Sequence, residues 1–392
     1  SGKLFQLGHE HQIENDIFDF EFTPNRGDCL SLIGLSRDLN VFYKTNFFLD
    51  SYTEDIPLLE LNYVNKVSNE CPEISFLRIQ IEGEISNYKD YLESYFKDLK
   101  INKNNFFADI ANYVAYEMGQ PLHSYDYSLI GKDITLEFSK EISKFKTLLG
   151  KDLTLESNEL VFTSDNNIIN LAGIVGGMQT ACTSQSKNAL IECAYFTPES
   201  IIGKALKYDI HSDASHKFER NVDPLCHEKV LRRFIQIVSE HTLITKIEIF
   251  TNPSREYKET ELGINLDKIN NILGLKESKD TYINILHLLG FSVDKIIKVP
   301  SFRNDISTQN DLAEELARVI GYDNIPLKPI NISQEFRSSS DLSEKAAQNF
   351  LIKNGFNEVI NNPFCNFEEQ NSIKVDNPLD SNKNYIRSNL TN

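Results

Sequence analysis

The sequence predicts a multidomain α+β protein. Three observations carry that expectation. The chain has 392 residues, and a domain usually takes roughly 100–200, so two to four domains are expected. Apolar residues make up 40% and charged residues 25%, the balance of a folded rather than a disordered chain. Short β-like runs alternate with amphipathic helical stretches, and no internal repeat is visible.

Taken in order, Ile17-Phe18-Asp19-Phe20-Glu21-Phe22 alternates apolar and polar residues and predicts a strand. Thr23-Pro24-Asn25-Arg26-Gly27-Asp28 breaks it. A helix is expected next, with Asp28 as its N-cap and Leu32, Leu35 and Leu39 on one stripe. Residues 51–105 read as mixed strand and helix, with helical spacing over 88–99. Residues 106–200 predict short strands, at 134–138 and 160–162, separated by turn clusters. Residues 226–240 predict an amphipathic helix with Val230, Phe234, Ile237 and Val238 inward and Arg232 and Arg233 outward. The polar stretch 251–262 is a candidate linker. Residues 263–325 predict a compact unit: helices over Leu266–Leu273 and 280–289, a strand including Val299, and a helix over 311–320. After the Pro-bearing stretch 325–330, a last helix starts at Asp341 and stops at Asn354-Gly355.

The formal charge is −17, from 40 Lys+Arg against 57 Asp+Glu. That excludes a bulk electrostatic grip on nucleic acid or on an anionic membrane, though not a local basic groove. The six cysteines lie far apart and form no C-x-x-C pair. This predicts reduced thiols in a cytoplasmic protein and argues against a structural zinc site. No run of about 18 apolar residues spans a membrane, and the start of the chain lacks the signature of a signal peptide. Residues 389–392 carry no helix stop and no polar tail, so the chain reads as part of a longer one.

Four groups of residues carry candidate chemistry. The run Leu171-Ala172-Gly173-Ile174-Val175-Gly176-Gly177 either lets backbone approach a ligand closely or makes a tight turn between strands. It is neither a P-loop nor a dinucleotide fingerprint. Asn112, His123 and Glu192 form the second group. Gly119 and Pro121 place His123 on a rigid loop, either at a site or merely at the surface. Glu192 interrupts the apolar run Leu190-Ile191-Glu192-Cys193-Ala194. It either turns to solvent or receives a ligand's donor, because burying a bare carboxylate is costly. In the third group, Asp311, Glu314 and Glu315 share one helical face behind Asp305. They suit Mg²⁺, or they complement the helix dipole. The fourth is 204–233, with seven basic against five acidic residues: a phosphate-contacting face or a solvated one.

Those segments resemble the family of bacterial phenylalanyl-tRNA synthetase β subunits. The resemblance rests on Thr23-Pro24-Asn25-Arg26-Gly27-Asp28-Cys29-Leu30, on Asn112-Tyr113-Val114 followed by Gly119-Gln120-Pro121-Leu122-His123, and on the run 171–177. It rests also on Asp213-Ala214-Ser215-His216-Lys217-Phe218-Glu219-Arg220, on Val299-Pro300-Ser301-Phe302-Arg303-Asn304-Asp305 with 311–322, and on Asn377-Pro378-Leu379 with Ile386-Arg387-Ser388. The matches run in family order over nearly the whole chain.

The resemblance implies a finer architecture. Residues 1–50 would be the end of the N-terminal domain, with the OB-fold tRNA-binding insert upstream. Residues 51–255 would be a mixed α/β editing domain. Residues 256–330 would be a small helical domain, and 331–392 the start of a class II synthetase-like α+β core that continues beyond Asn392. It also implies function. The synthetic site, where ATP is used, belongs to the α subunit of an α2β2 heterotetramer. The β subunit hydrolyses tyrosine wrongly esterified to phenylalanine tRNA. Glu192 would accept the tyrosine hydroxyl, His123 would position water near the tRNA 3′ end, and Asn112 would hold the ester. Ala172 and Gly173 would let the ring approach backbone, while Ser212 and Ala214 would line the pocket. Asp305, Asp311, Glu314 and Glu315 fall where the family binds a Mg²⁺ shared with the α subunit. The chain departs from the family pattern at Ala111, Asn102, Ser212 and Asn221, where Thr, Arg, Thr and Gly are expected. Loss of that Arg leaves an alternative reading, a scaffold subunit with an inactive cleft.

Overall fold

The computed structural model describes residues 1–44, 49–131, 133–253, 257–327, 340–368 and 371–389. The chain divides into two units, Ser1–Leu327 and Lys328–Asn392. The centre of the candidate linker (Ser254-Arg255-Glu256), the expected boundary at 330/331 and residues 390–392 lie outside the described residues.

The first unit opens with helix α1 (Gly2–Gln6) and an antiparallel hairpin, β1 (Glu10–Glu14) with β2 (Ile17–Glu21). Helix α2 (Leu32–Tyr43) follows. Its N-cap is Ser31, whose Oγ accepts the Gly34 amide at 3.0 Å, and not the expected Asp28. A short 3-10 turn at Gly27–Cys29 intervenes, and Asp28 receives Arg26 instead.

Strands β3 (Asn62–Asn65) and β4 (Glu73–Glu82), helices α3 (Asp90–Asp98) and α4 (Phe106–Met118), and β5 (Leu122–Asp126) come next. Then follow β6 (Asp133–Phe138), the hairpin β7 (Ser143–Lys146) and β8 (Asp152–Leu155), β9 (Leu160–Ser164), β10 (Asn167–Leu171), β11 (Val175–Gly176) and β12 (Asn188–Tyr195). The short helices α5 (Pro198–Ile201), α6 (Lys204–Lys207) and α7 (Asp213–Glu219) precede α8 (His227–Ser239) and β13 (Leu243–Pro253). Two sheets result: a five-stranded one in the order β11-β10-β9-β6-β3, and a four-stranded antiparallel one in the order β13-β4-β12-β5.

The central strands of the four-stranded sheet, β4 and β12, are buried on both faces. Ile74 and Phe76 of β4 and Leu190 and Ala194 of β12 enter a core shared with Leu136, Phe162 and Leu171 of the other sheet. Leu77, Ile79, Ala189, Ile191 and Cys193 point the other way, against Ile110 and Val114 of α4 and Phe234 and Ile237 of α8. The period of two in strand side chains therefore sorts β4 and β12 into two cores.

Helix α8 follows the expected inward stripe, but Arg233 does not face outward. Glu117 of α4 stands opposite and draws the guanidinium into the interface, at 2.7 Å and 3.0 Å. Residues 251–253 are not linker. They extend β13 along Glu73, Ile74 and Ser75, since an edge strand tolerates polar residues and a proline.

The unit closes with β14 (Glu261–Gly263), α9 (Leu266–Leu273), α10 (Lys279–Leu288), β15 (Ser292–Val293), β16 (Ile296–Lys298) and α11 (Gln309–Ile320). Val299 falls one residue past its expected strand. Helix α11 starts with a capping box between Thr308 and Asp311. Leu7 and Val41 from the first 44 residues share one core with Leu273, Leu286 and Leu312. The second unit holds α12 (Ser340–Lys353), ended at Gly355 with φ +86°, and a small sheet of β17 (Phe364–Cys365), β18 (Ile373–Lys374) and β19 (Tyr385–Ile386). All six cysteines are free and buried. Among the described residues, no helix is long and apolar enough to cross a membrane.

A buried ionic network joins α2 to α11. Arg318 holds Asp38 of α2 at 2.7 Å and 3.2 Å. It also holds Glu315, which Arg303 grips from the other side at 2.7 Å. Burial alone would push both carboxyls up, but the arginines prevail. Asp38 lies well below its usual value and Glu315 falls to about 2. Arg318→Ala should therefore destabilise the fold by about 1.5–3 kcal/mol, since two buried carboxylates each lose one of their arginine partners. Urea unfolding at pH 7 measures this. The network's contribution from Glu315 is complete above pH 4.5 and is lost as pH falls toward about 2, so the penalty of the variant should shrink over that interval.

Candidate functional site

Strand β5 lies along β12 with His123 directly opposite Glu192 and Tyr125 opposite Leu190. Directly paired residues share a face, so His123, Tyr125, Leu190 and Glu192 all point toward the five-stranded sheet. The expected loop histidine is thus a strand residue. Pro121 is tolerated because it precedes an edge strand. Glu192 does not turn to solvent: it is 5% exposed, between two sheets. Tyr125 Oη donates to Glu192 Oε2 at 2.5 Å, and Asn170 Nδ2 of β10 donates to both the phenol oxygen (2.8 Å) and Oε2 (3.3 Å).

Glu192 lines a chamber of about 70 Å³ together with His123, Asn170, Gly173, Gly176, Ala214 and Phe218. His123, Ile174, Val175, Gly176 and Ala214 also line a larger cleft of about 440 Å³. The chamber therefore adjoins that cleft. One wall is a stripe on α4, Ala108, Ala111, Asn112 and Ala115, spaced i, i+3, i+4 and i+7. Three of the four are alanine, which leaves the space open, and Asn112 is the exposed polar member. Leu148, Leu149, His211, Ser212 and Asp213 complete the rim. Two glycines are required here. Gly173 sits at φ +70° in the turn after β10, and a Cβ on Gly176 would overlap the His123 ring.

Burial raises Glu192 to about 7, against the opposing hydrogen bonds from Tyr125 and Asn170. Burial also lowers His123 to about 4. Its imidazole is neutral at pH 7, and its Nε2 has no hydrogen-bond partner among the described residues. The site thus holds a carboxylate raised toward neutrality and a neutral imidazole with a buried, unpaired Nε2, and both residues line one cavity system.

The fold brings together His123, Glu192, Asn112, Gly173, Ser212 and Ala214 around these cavities. Ala172 is 1% exposed and lines neither. Asn102 is exposed and also lines neither, whereas Asn104 and Asn105 do line the cleft. Tyr125 and Asn170 were not singled out from the sequence. Asn170 carried the same signal as Glu192, a polar residue inside the apolar run Ile168-Ile169-Asn170-Leu171. Tyr125 carried the period-two spacing from His123.

The acidic group does not form an oxygen cage in this arrangement. Arg303 engages Asp305 at 2.8 Å and also Glu315, Asp311 caps α11 through the Ser307 and Thr308 amides, and Glu314 is exposed. Among the described residues only His9, Cys29 and Asp38 converge as possible metal ligands, and Arg26 and Arg318 already occupy Asp38. The residues present do not fit a Mg²⁺ while Arg303 keeps its partners. The cationic stretch 204–233 forms no single free face either. Lys204 and Lys207 pair with Glu159, Lys217 is buried against the Leu30 carbonyl, and Arg233 pairs with Glu117.

Comparison with known proteins places these elements. The B3/4 domain family matches residues 73–242, and the tRNA synthetase B5 domain family matches residues 262–322. The phenylalanine–tRNA ligase beta subunit of Psychrobacter arcticus is 29% identical over 365 residues, covering 90% of this chain and 45% of that protein. That of Fusobacterium nucleatum is 30% identical over 408 residues, covering 97% and 50%. The chain spans about half the length of the curated relatives it matches. A crystal structure of an N-terminal fragment of the phenylalanyl-tRNA synthetase beta subunit from Pyrococcus horikoshii covers 81% of this chain and 92% of its own, at 14% identity and a TM-score of 0.45.

The burial of Glu192 has a measurable cost. A carboxyl raised from 4.5 to about 7 on folding opposes stability increasingly as pH rises through that interval. Glu192→Gln keeps the shape and removes the charge. It should stabilise the fold by about 3 kcal/mol at pH 8 and by little below pH 4.5. Paired thermal melts across that range check the sign.

Proposed function

Since the chain belongs to the family of phenylalanine–tRNA ligase beta subunits, we propose that its cleft hydrolyses tyrosine wrongly esterified to phenylalanine tRNA. Tyrosine differs from phenylalanine by one hydroxyl, which an apolar pocket rejects by only about 100-fold. A second site that demands the hydroxyl sorts in the opposite sense. The observation that supports this reading is Glu192, a carboxylate lining a chamber that adjoins a ligand-sized cleft. The chamber's 70 Å³ is less than the roughly 150 Å³ that takes benzene. The ring would therefore lie across chamber and cleft, with its hydroxyl inward.

In this mechanism Glu192 accepts the tyrosyl hydroxyl, and phenylalanine leaves that acceptor unpaired. Asn112 holds the ester end from the cleft face of α4. Gly173 lets the ring approach backbone, backed by buried Ala172, while Ser212 and Ala214 line the pocket. Neutral His123, which lines both chamber and cleft, positions the attacking water. The water oxygen bonds to the acyl carbon, the ester C–O bond breaks, and the ribose oxygen takes a proton. An aminoacyl ester is already activated, so positioning suffices without a strong base. The same proposal assigns ATP-dependent aminoacylation to an α subunit, in a cytoplasmic α2β2 assembly that binds phenylalanine tRNA. The family's Mg²⁺ is assigned no part in hydrolysis.

Deacylation of tyrosyl- and phenylalanyl-tRNA by the assembled ligase tests this. Tyrosyl ester should be cleaved well above background, and Glu192→Ala should reduce the Tyr-over-Phe preference by roughly 100-fold or more. His123→Ala should slow cleavage about 10–100-fold with the preference kept. No cleavage by a folded enzyme would refute the proposal and leave the scaffold reading.

A further inference from the structure

The hydrogen bonds around Glu192 are unevenly shared between its two oxygens. Oε2 takes both protein donors, Tyr125 Oη at 2.5 Å and Asn170 Nδ2 at 3.3 Å. Among the described residues no donor reaches Oε1, although Glu192 lines the chamber. Asn170 also donates to the Tyr125 oxygen at 2.8 Å, which settles the direction of the phenol proton. With its oxygen accepting from Asn170, the phenol gives its own proton to Oε2. The three groups close a triangle across two sheets. Tyr125 and Glu192 come from adjacent strands of the four-stranded sheet, and Asn170 from the five-stranded one. The His123 ring packs edge-on against Tyr125, with centroids 4.3 Å apart at 78°, between the triangle and the cleft.

We infer that Tyr125 and Asn170 are positioning residues for specificity: they clamp one oxygen of Glu192 and leave the other as the single acceptor for a ligand hydroxyl entering the chamber. This deepens the proposed function and rests on the role given there to Glu192. The clamp has two effects. It fixes the carboxylate plane, so that the acceptor points into the chamber. It also supplies neutral donors that favour the ionised carboxylate, without a cation that would cancel its charge.

The groups facing Glu192 leave it alone to titrate near neutrality. His123, from β5, lies at about 4 through burial. Tyr125 from β5, Tyr63 from β3 and Cys71 ahead of β4 are all raised by burial, as is Cys193 on the opposite face of β12. Asn170 does not titrate. Tyr-over-Phe preference should therefore rise with pH through about 7, following Glu192 ionisation. Removing a clamp donor raises the carboxyl's pKa and moves that rise to higher pH.

The test is the ratio of tyrosyl- to phenylalanyl-tRNA deacylation by the assembled ligase between pH 5.5 and 8.5, less the spontaneous rate. Tyr125→Phe should lower the ratio about fivefold at pH 7 and recover most of it by pH 8.5, the behaviour of a midpoint raised by about one unit. Asn170→Ala, the second variant, should move the midpoint the same way. An unmoved midpoint in both variants overturns the clamp, provided Glu192→Ala still abolishes the preference. A faster tyrosyl reaction in Tyr125→Phe also overturns it, because the phenol would then be occupying the ligand's place. If Glu192→Ala keeps the preference, the role of Glu192 fails instead.

Discussion

Strand β12 has no solvent face between Ala189 and Ala194, so each side chain there must enter one of two cores. That constraint shapes the rest of the domain. It explains the near-continuous apolar run Ala189-Leu190-Ile191 and Cys193-Ala194, and it makes Glu192 the one carboxylate on the strand. A charge there cannot reach water along the sheet. It needs donors from the neighbouring strand and the opposing sheet, and β5 and β10 provide them. The chamber exists because Gly173, Gly176 and Ala214 leave space beside this polar triangle among Ile174, Val175 and Phe218.

Two buried glutamates in one chain show how environment divides structure from chemistry. Glu315 sits between Arg303 and Arg318 and is held at about 2. Glu192 has only neutral donors and is raised to about 7. The first is committed to charge neutralisation and ties α11 to α2 through Arg318 and Asp38. The second keeps an uncommitted oxygen and changes charge in the physiological range. Perturbation in that direction, inside a cavity, is what a binding or reactive carboxylate requires. The contrast also bears on the acidic group near α11, where arginine contacts already satisfy Asp305 and Glu315.

Much of the fold was legible where a pattern is local. The stripe of α8, the two helices after residue 263 and the glycine turn after β10 follow from spacing alone. Glu192 was legible as an anomaly, a carboxylate inside an apolar run. What failed depended on a partner far along the chain. Arg233 looks outward until Glu117 is brought opposite, 116 residues away. Asp28 looks like a cap until Arg26 claims it and Ser31 takes the place. The linker around 251 is polar because it is an edge, not because it is loose. Within the site, His123 was legible as a residue but not as a strand neighbour of Glu192. Tyr125 was hidden because a tyrosine is ordinary in a strand, and although Asn170 breaks an apolar run, only tertiary packing joins positions 45 residues apart.

Glu192 is also hard to explain by stability. A well-packed apolar residue, or a glutamine, would satisfy the same space between the sheets at lower cost, since the ionised carboxyl opposes folding above pH 4.5. Its donors reduce that cost without removing it. A buried charge that weakens the fold, borders a cavity and retains a free acceptor is better understood through what enters the cavity than through the fold it strains. The neighbouring imidazole fits the same account. Neutral and unpaired at its buried Nε2, His123 adds no charge to compete for Glu192, yet its ring lines both the chamber and the cleft. In the proposed reaction, recognition falls to the carboxylate and water handling to the imidazole, so that each can act without neutralising the other.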